Sequence, residues 1–268
     1  MNLSEPLPSD FAEPLARAGG RLDLFSRRVI WYPEVSSTSD IAGSLAERGA
    51  AEGLVVAANM QSAGRGRLGR TWASPPGAGL YVSVLLRPPR LVLPMVTIAA
   101  GVAVAQGVEA ATGLRAQLKW PNDVCVGPRK LAGVLAEANT STPDCASGPY
   151  VILGFGINVL TAAYPPDVAL RATSLEGELG RHVDRGLVFV ECLSALAQRY
   201  SDLTHGGTAD VIAAWRGRAA TTLRRRVRFE TAGTHLEGVA EDVDETGALL
   251  VRTASATIRV TSGEVSWL

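Results

Sequence analysis

The sequence predicts an α+β protein: a mixed β-sheet with helices packed on one face, followed by a small β-barrel of about fifty residues. Three observations carry this. Apolar runs of strand length follow one another through hairpin-type turns with few helices between them, which is not the alternating pattern of a parallel sheet. Two stretches have helical length: an apolar one from about Pro94 to Ala111, and Leu187 to Leu203, where Phe189, Cys192, Leu193, Leu196 and Tyr200 recur at helical spacing. At Thr222 the texture changes to short strands separated by glycine turns. The chain divides into an N-terminal arm (1–27), a large domain (28–221) and a small C-terminal domain (222–268).

Residues 1–27 are polar and broken by Pro6, Pro8, Pro14 and Gly19-Gly20, giving an arm with room for one short helix. Val29-Ile30-Trp31-Tyr32 reads as a strand stopped by Pro33. Ser37 with Asp40 three residues on has the form of a capping box, so a helix starts there and ends at Gly49. Its free N–H groups suit an acceptor atom, although spacing alone makes the Ser36–Ser39 hydroxyls simple caps. Leu54–Ala58 and Gly79–Leu86 are strands, and the loop between them is anchored at both ends. After the apolar helix, closed by Gly113, Gln117-Leu118-Lys119-Trp120 is a strand end that turns at Pro121-Asn122-Asp123. By itself Pro-Asn-Asp is an ordinary turn. Val124-Cys125-Val126 and Gly127-Pro128 form a hairpin into the strand Arg129–Glu137, which Lys130 opens. A lysine there either snorkels to water or meets a buried anion. Residues 139–149 form a polar turn, Tyr150–Asn158 is an apolar strand broken by Gly154 and Gly156, and Tyr164-Pro165-Pro166 is a loop. Thr173-Ser174-Leu175 starts a short turn, and Gly206-Gly207 precedes a second helix capped by Thr208. The small domain has strands at Val227–Phe229, Leu236–Ala240, Ala248–Val251 and Thr257–Val260, with turns at Gly233, Gly247 and Gly263.

Composition removes several classes of function. Lys+Arg and Asp+Glu are 26 each in 268 residues, which argues against bulk binding to nucleic acid or anionic membrane. Cys125, Cys145 and Cys192 are odd in number and widely spaced, which suits a reducing cytoplasm and neither a disulfide framework nor a zinc site. No metal-ligating cluster is expected. The longest apolar run, Leu91 to Ala105, falls short of a membrane span and reads as a buried helix.

The chemistry concentrates in Gly64-Arg65-Gly66-Arg67-Leu68-Gly69-Arg70. Glycines let backbone N–H groups approach a ligand, and guanidinium forks suit carboxylate or phosphate. On its own the stretch reads equally as a flexible basic linker. It also matches dinucleotide and phosphate-loop patterns, but both require a helix directly after it, and Pro75, Pro76, Gly77 and Gly79 forbid one.

Four motifs in order resemble the biotin protein ligases: Gly64–Trp72, Lys119-Trp120-Pro121-Asn122-Asp123, Arg129–Leu135, and Gly154-Phe155-Gly156-Ile157-Asn158. Ser262-Gly263-Glu264-Val265-Ser266 is similar to the end of that family's C-terminal domain, so the resemblance covers about residue 30 to 268. It implies a class II synthetase-like catalytic domain and an SH3-like barrel. It implies that biotin and MgATP form biotinyl-5′-adenylate and pyrophosphate, after which a lysine of a biotin carboxyl carrier protein or domain displaces AMP. By resemblance, Ser37, Thr38, Ser39, Gln61, Arg65, Gly66 and Arg67 meet biotin, and Lys130 holds its carboxyl as an electrostatic catalyst. Arg65, Arg67, Arg70, Trp72, Lys119, Asn122, Asp123 and Asn158 serve ATP and the adenylate. Asp123 is also placed as base for the acceptor lysine, and Arg65 joins Lys130 and Asp123 in catalysis. Ser39 stands where the family usually has asparagine. Some family members carry an N-terminal DNA-binding module; the short polar N-terminus and neutral charge lead to the expectation of the single-function, cytoplasmic type, monomer or homodimer, with no DNA or membrane partner. Two other readings remain: a lipoate–protein ligase, on a related fold with similar chemistry, and a non-catalytic biotin sensor.

Overall fold

The computed structural model describes residues 4–139, 148–161, 164, 166–220, 222–231, 234–263 and 265–268. Residues 140–147 of the polar turn expected at 139–149, with Cys145 among them, and Pro165, Gly233 and Glu264 lie outside the described residues.

The large domain contains α1 (Ser9–Ala18), β1 (Arg28–Tyr32), α2 (Thr38–Glu47), β2 (Leu54–Ala58), β3 (Gly79–Leu86), α3 (Val96–Thr112), β4 (Gln117–Lys119), β5 (Asp123–Val126), β6 (Arg129–Asn139) and β7 (Tyr150–Asn158). Short helices α4 (Pro166–Ala169) and α5 (Leu175–Leu179) follow, then α6 (Arg185–Thr204) and α7 (Thr208–Arg216). Its seven-stranded sheet has the order β1-β2-β3-β7-β6-β5-β4. Only β1 and β2 are parallel, with α2 as their crossover, so the sheet is mixed as expected.

Helices α1, α3, α6 and α7 pack together on one face. The expectation of helices on one face alone is corrected by α2, which covers the other. The reason lies in the strands: β2, β3 and β7 are buried at every position, so both faces must be covered. Val55, Ala57, Val82 and Val84 meet the helical layer, while Val56, Ala58, Leu85 and Ile152 pack under Ala42 and Ala46 of α2. Beyond the end of α2, on that same face, lies the cavity described below.

A turn of 3-10 helix, Arg90–Met95, leads into α3, and together they run for 23 residues, longer than the apolar run indicated. Pro94 sits before the first full turn, where its missing N–H costs nothing, and Gly101 lies beside Leu118. The stretch is apolar enough to cross a membrane, but most of it is buried here, against α6 above all. Helix α2 starts where expected, yet Ser37 makes no side-chain cap bond; Asp40 instead pairs with Arg65 at 3.1 Å. Likewise Gly207, not Thr208, is the N-cap of α7. Gly154 and Gly156 do not break β7, which is continuous.

The N-terminal segment is docked. Phe11, Leu22 and Phe25 are fully buried in the main core, and each such burial stabilises by about 1.5–3 kcal/mol. Helix α1 crosses α6 at Gly186, beside Arg185, whose guanidinium stacks 5.4 Å from the Phe11 ring.

The C-terminal residues form a five-stranded antiparallel sheet: β8 (Arg226–Thr231), β9 (Thr234–Val243), β10 (Leu249–Arg252), β11 (Thr257–Val260) and β12 (Val265–Trp267), in the order β11-β10-β9-β8-β12. Strand β12 was not anticipated; three residues are too few to show a period. The two parts are joined through Trp120, whose Nε1 donates to Gly247 O at 2.9 Å, and through a bidentate Arg216–Asp242 pair at 2.6 and 2.8 Å.

A Cβ at residue 186 would lie 1.7 Å from Asp10 O. Gly186→Ala is therefore expected to displace α1 and cost roughly 1–3 kcal/mol, lowering Tm by roughly 2–10 °C. Thermal unfolding checks this; an unchanged Tm contradicts the docking.

Candidate active site

The cavity is built on a strip of sheet without side chains. Gly133 of β6 and Gly156 of β7 are directly opposite each other in the ladder. The Trp72 indole occupies the space above them: a Cβ on Gly156 would lie 2.4 Å from its Nε1, and one on Gly133 3.1 Å from its ring. Its Nε1–H is buried without a partner among the described residues. The Gly/Arg loop delivers Trp72. It folds back on itself as Trp72 N donates to Gly64 O (2.8 Å), Gly66 N to Arg70 O (2.7 Å) and Arg70 N to Arg67 O (3.2 Å). At its tip Leu68 adopts the left-handed region (φ 57) and is exposed.

A polar wall faces Trp72. Lys130 Nζ lies 2.6 Å from Asp123 Oδ1 and 5.2 Å from the Trp72 ring centroid. The two side chains are 33% and 25% exposed, so both charges are open to a ligand in the cavity. Lys130 opens β6 as expected, and its backbone is pinned by bonds from Lys130 N to Arg171 O (2.7 Å) and from Thr173 N to Lys130 O (2.9 Å). The Pro-Asn-Asp turn is more than a turn. Asn122 Nδ2 donates to Val134 O (2.7 Å), and its Oδ1 accepts from Arg67 Nη1 (3.2 Å). Arg67 Nη2 also reaches Gly263 O in the small domain at 3.1 Å, and Lys119 Nζ sits 5.4 Å from the Trp267 ring. Asn158, buried at the end of β7, donates to Thr173 O at 2.9 Å. Arg65 bridges the carboxylates of Asp40 (3.1 Å) and Glu137 (2.7 Å) at the exposed rim.

The opposite end of the cavity is uncharged. Gln61 Oε1 accepts from Thr38 N (2.8 Å) and Thr38 Oγ1 (3.1 Å), and its Nε2 donates to Ser74 Oγ (2.9 Å). Ser83 Oγ contacts both Thr38 Oγ1 (2.8 Å) and Ser39 Oγ (3.0 Å). Ser37 completes this end.

These groups surround one cavity of about 550 Å³, bordered by every residue singled out from the sequence, Gly66 and Arg70 included. Ser83, Ser74, Cys125, Arg171, Gly263 and Val265 also belong to the site or its supports and were not singled out. For Ser83 a signal existed: it is the one aliphatic hydroxyl inside the apolar run of β3. Gly263 and Val265 are brought in only by the docking of the small domain, which local sequence does not report.

A mixed sheet carrying this cavity and a small β domain at its wall defines the biotin/lipoate ligase class. The Biotin/lipoate A/B protein ligase family model matches residues 31–158, and the Biotin protein ligase C terminal domain model matches 222–268. The Bifunctional ligase/repressor BirA of Bacillus spizizenii is 34% identical over 263 residues, covering 96% of this chain and 79% of that protein. The Biotin–[acetyl-CoA-carboxylase] ligase of Mycobacterium tuberculosis is 34% identical over 237 residues, covering 86% and 85% respectively. The structure of the biotin protein ligase from Aquifex aeolicus in complex with biotin and ATP superposes with a TM-score of 0.78 at 29% identity, covering 90% of this chain and 99% of that one. The chain belongs to the biotin protein ligase family and is an enzyme of that class.

Cys125 borders the cavity between Lys130 and Asp123, yet it is no nucleophile. Burial first, and the Asp123 carboxylate second, push its thiol up to about 12, against the opposing pull of Lys119 and Lys130. At pH 8 its thiolate fraction is therefore roughly 1000-fold below that of an ordinary thiol. Alkylation followed by peptide mass spectrometry is expected to leave Cys125 unmodified at pH 8 in the folded protein and to label it after denaturation. Because the folded thiol holds its proton more tightly, its contribution to stability is complete below the ordinary thiol range. That contribution is lost as pH rises through about 12.

Proposed function

We propose that this protein activates biotin with MgATP, forming biotinyl-5′-AMP and pyrophosphate, and then transfers biotin to a lysine of a biotin carboxyl carrier protein or domain with release of AMP. The observation that carries the reading is the polarity of one cavity. An uncharged hydroxyl–amide end at Thr38, Ser39 and Gln61 suits a ring head group, and a cationic wall at Lys130 suits the carboxylate.

In the first step a biotin carboxylate oxygen attacks the α-phosphorus of ATP, and the bond to the pyrophosphate oxygen breaks. Two anions must meet. Lys130, on the wall between the floor and Asn122, neutralises the charge at the reacting centre without forming a bond itself. Arg67 and Arg70 from the loop and Lys119 from β4 take the phosphates, and Trp72 offers a flat face to the adenylate. Asn122 and Asn158 border the nucleotide side, their own bonds to backbone holding them in place. Mg²⁺, when bound with ATP, would supply charge neutralisation at the phosphates.

In the second step the carrier lysine must lose a proton before its nitrogen attacks the acyl carbon and displaces AMP. Asp123, the carboxylate paired with Lys130, accepts that proton once Lys130 is engaged with ligand. The mixed anhydride hydrolyses in water, so the folded Gly/Arg loop over the floor protects it. The named activity of the relatives supports a carboxylase carrier as acceptor.

The test is pyrophosphate release with ATP plus biotin or ATP plus lipoate, with an apo carrier domain in a parallel tube. Biotin-dependent release and label on the carrier are expected. Lipoate-dependent release would mean a lipoate ligase, and biotin binding without release a sensor. Lys130→Ala is expected to retain the wild-type Tm and lower the adenylation rate roughly 100- to 1000-fold; a normal rate removes Lys130 from the mechanism.

A further inference from the structure

We infer that Ser83, to which the proposed chemistry gives no role, is a positioning residue: it orders the hydroxyl protons at the uncharged end of the cavity, leaving Ser39 an acceptor that selects ligands by a ring N–H. The inference rests on the proposed function and deepens it.

The order follows from groups that have no choice. A backbone carbonyl only accepts, so Ser74 Oγ donates to Trp72 O (3.1 Å). The Ser74 lone pairs then accept from Gln61 Nε2 at 2.9 Å, which sets the orientation of the Gln61 amide. The Thr38 backbone N–H, a donor only, meets Gln61 Oε1 at 2.8 Å and requires the same orientation. Gln61 Oε1 also takes the Thr38 hydroxyl proton at 3.1 Å. With its proton spent, Thr38 Oγ1 accepts from Ser83 at 2.8 Å. Ser83 is then spent as well, and its oxygen accepts from Ser39 at 3.0 Å. Ser39 is the end of the chain. Its proton points into the protein, and only lone pairs remain for the cavity it borders.

The chain has little freedom to reverse. Ser83 is fully buried in β3 and Ser39 nearly so. A Cβ at Gly154 would lie 3.1 Å from Ser39 Oγ and 3.6 Å from Ser83 Oγ, so both hydroxyls sit directly over the bare strand at that glycine. Turning the Ser39 proton toward the cavity would leave the buried Ser83 lone pairs without their donor. A ligand placing N–H at Ser39 is therefore favoured. One placing a ring oxygen or sulfur there meets lone pair against lone pair. The cyclic urea of biotin satisfies this rule, and a dithiolane does not.

The experiment measures kcat/KM for pyrophosphate release with biotin and with an isostere in which one ureido N–H is replaced by O, each ring position being made separately. Wild type is expected to prefer biotin roughly 100-fold over one of the two isosteres. Ser83→Ala removes the acceptor for the Ser39 proton, so Ser39 can donate to the isostere and the preference falls at least roughly 10-fold. Ser39→Ala brings the preference close to one by itself, and Ser83→Ala added to it changes nothing further. A preference that Ser83→Ala leaves intact, or that survives Ser39→Ala, overturns the inference. Should Ser83→Ala not fold, the Ser39→Ala result decides. Failure of the proposed function is distinct, since it would appear in the wild type as lipoate-dependent pyrophosphate release or as biotin binding without release.

Discussion

Everything in the site depends on one close approach: an indole lying on a sheet where two strands have no side chains. Gly133 and Gly156 face each other across β6 and β7, and any Cβ at either position would meet Trp72. The consequences run outward. Trp72 in that slot holds the end of the Gly/Arg loop, the loop carries Arg65, Arg67 and Arg70 to the cavity rim, and the indole face lies against Lys130. Glycine weakens a strand, and here that cost is offset by neighbours: β7 is buried at every position and paired on both sides.

Charge is distributed over the same frame by pairing. Asp123 sits against Lys130, Asp40 and Glu137 against Arg65, and the Asn122 amide against Arg67. These pairs are partly exposed and add little stability. Their value is positional, since each holds a cation where an incoming anion can take it over. The small domain takes part in this. Arg67 reaches its Gly263 carbonyl and Lys119 lies against its Trp267 ring, so the loop and the cationic wall both depend on how that domain is docked. Trp120, bonded to Gly247 and Thr222, is the joint.

Much of this was legible in the sequence, for physical reasons that can be named. Strands β2, β3, β6 and β7 stood out because apolar runs bounded by glycine and proline admit few other structures. The Gly/Arg loop stood out because arginines between glycines have no purpose in a core; the other site residues were legible through the resemblance of four motifs in order, since Pro-Asn-Asp by itself is an ordinary turn. What was hidden was whatever depends on distant parts meeting. The placement of α2 on the second face needed both faces of β2 and β3 to be known as buried. The docking of residues 4–27 depended on Phe11, Leu22 and Phe25, three apolar side chains in a polar segment. Ser83 looked like one hydroxyl in an apolar strand until Thr38 and Ser39 were brought to it. The Ser37–Asp40 pattern misled about capping because Arg65, twenty-five positions along the chain, competes for the carboxylate.

The most direct measurement is native mass spectrometry of the protein after incubation with biotin and MgATP in the absence of any carrier. The account predicts one biotinyl-5′-AMP retained per chain, formed in the cavity and protected beneath the Gly/Arg loop. A complex containing only unreacted biotin and ATP, or no ligand at all, would contradict it.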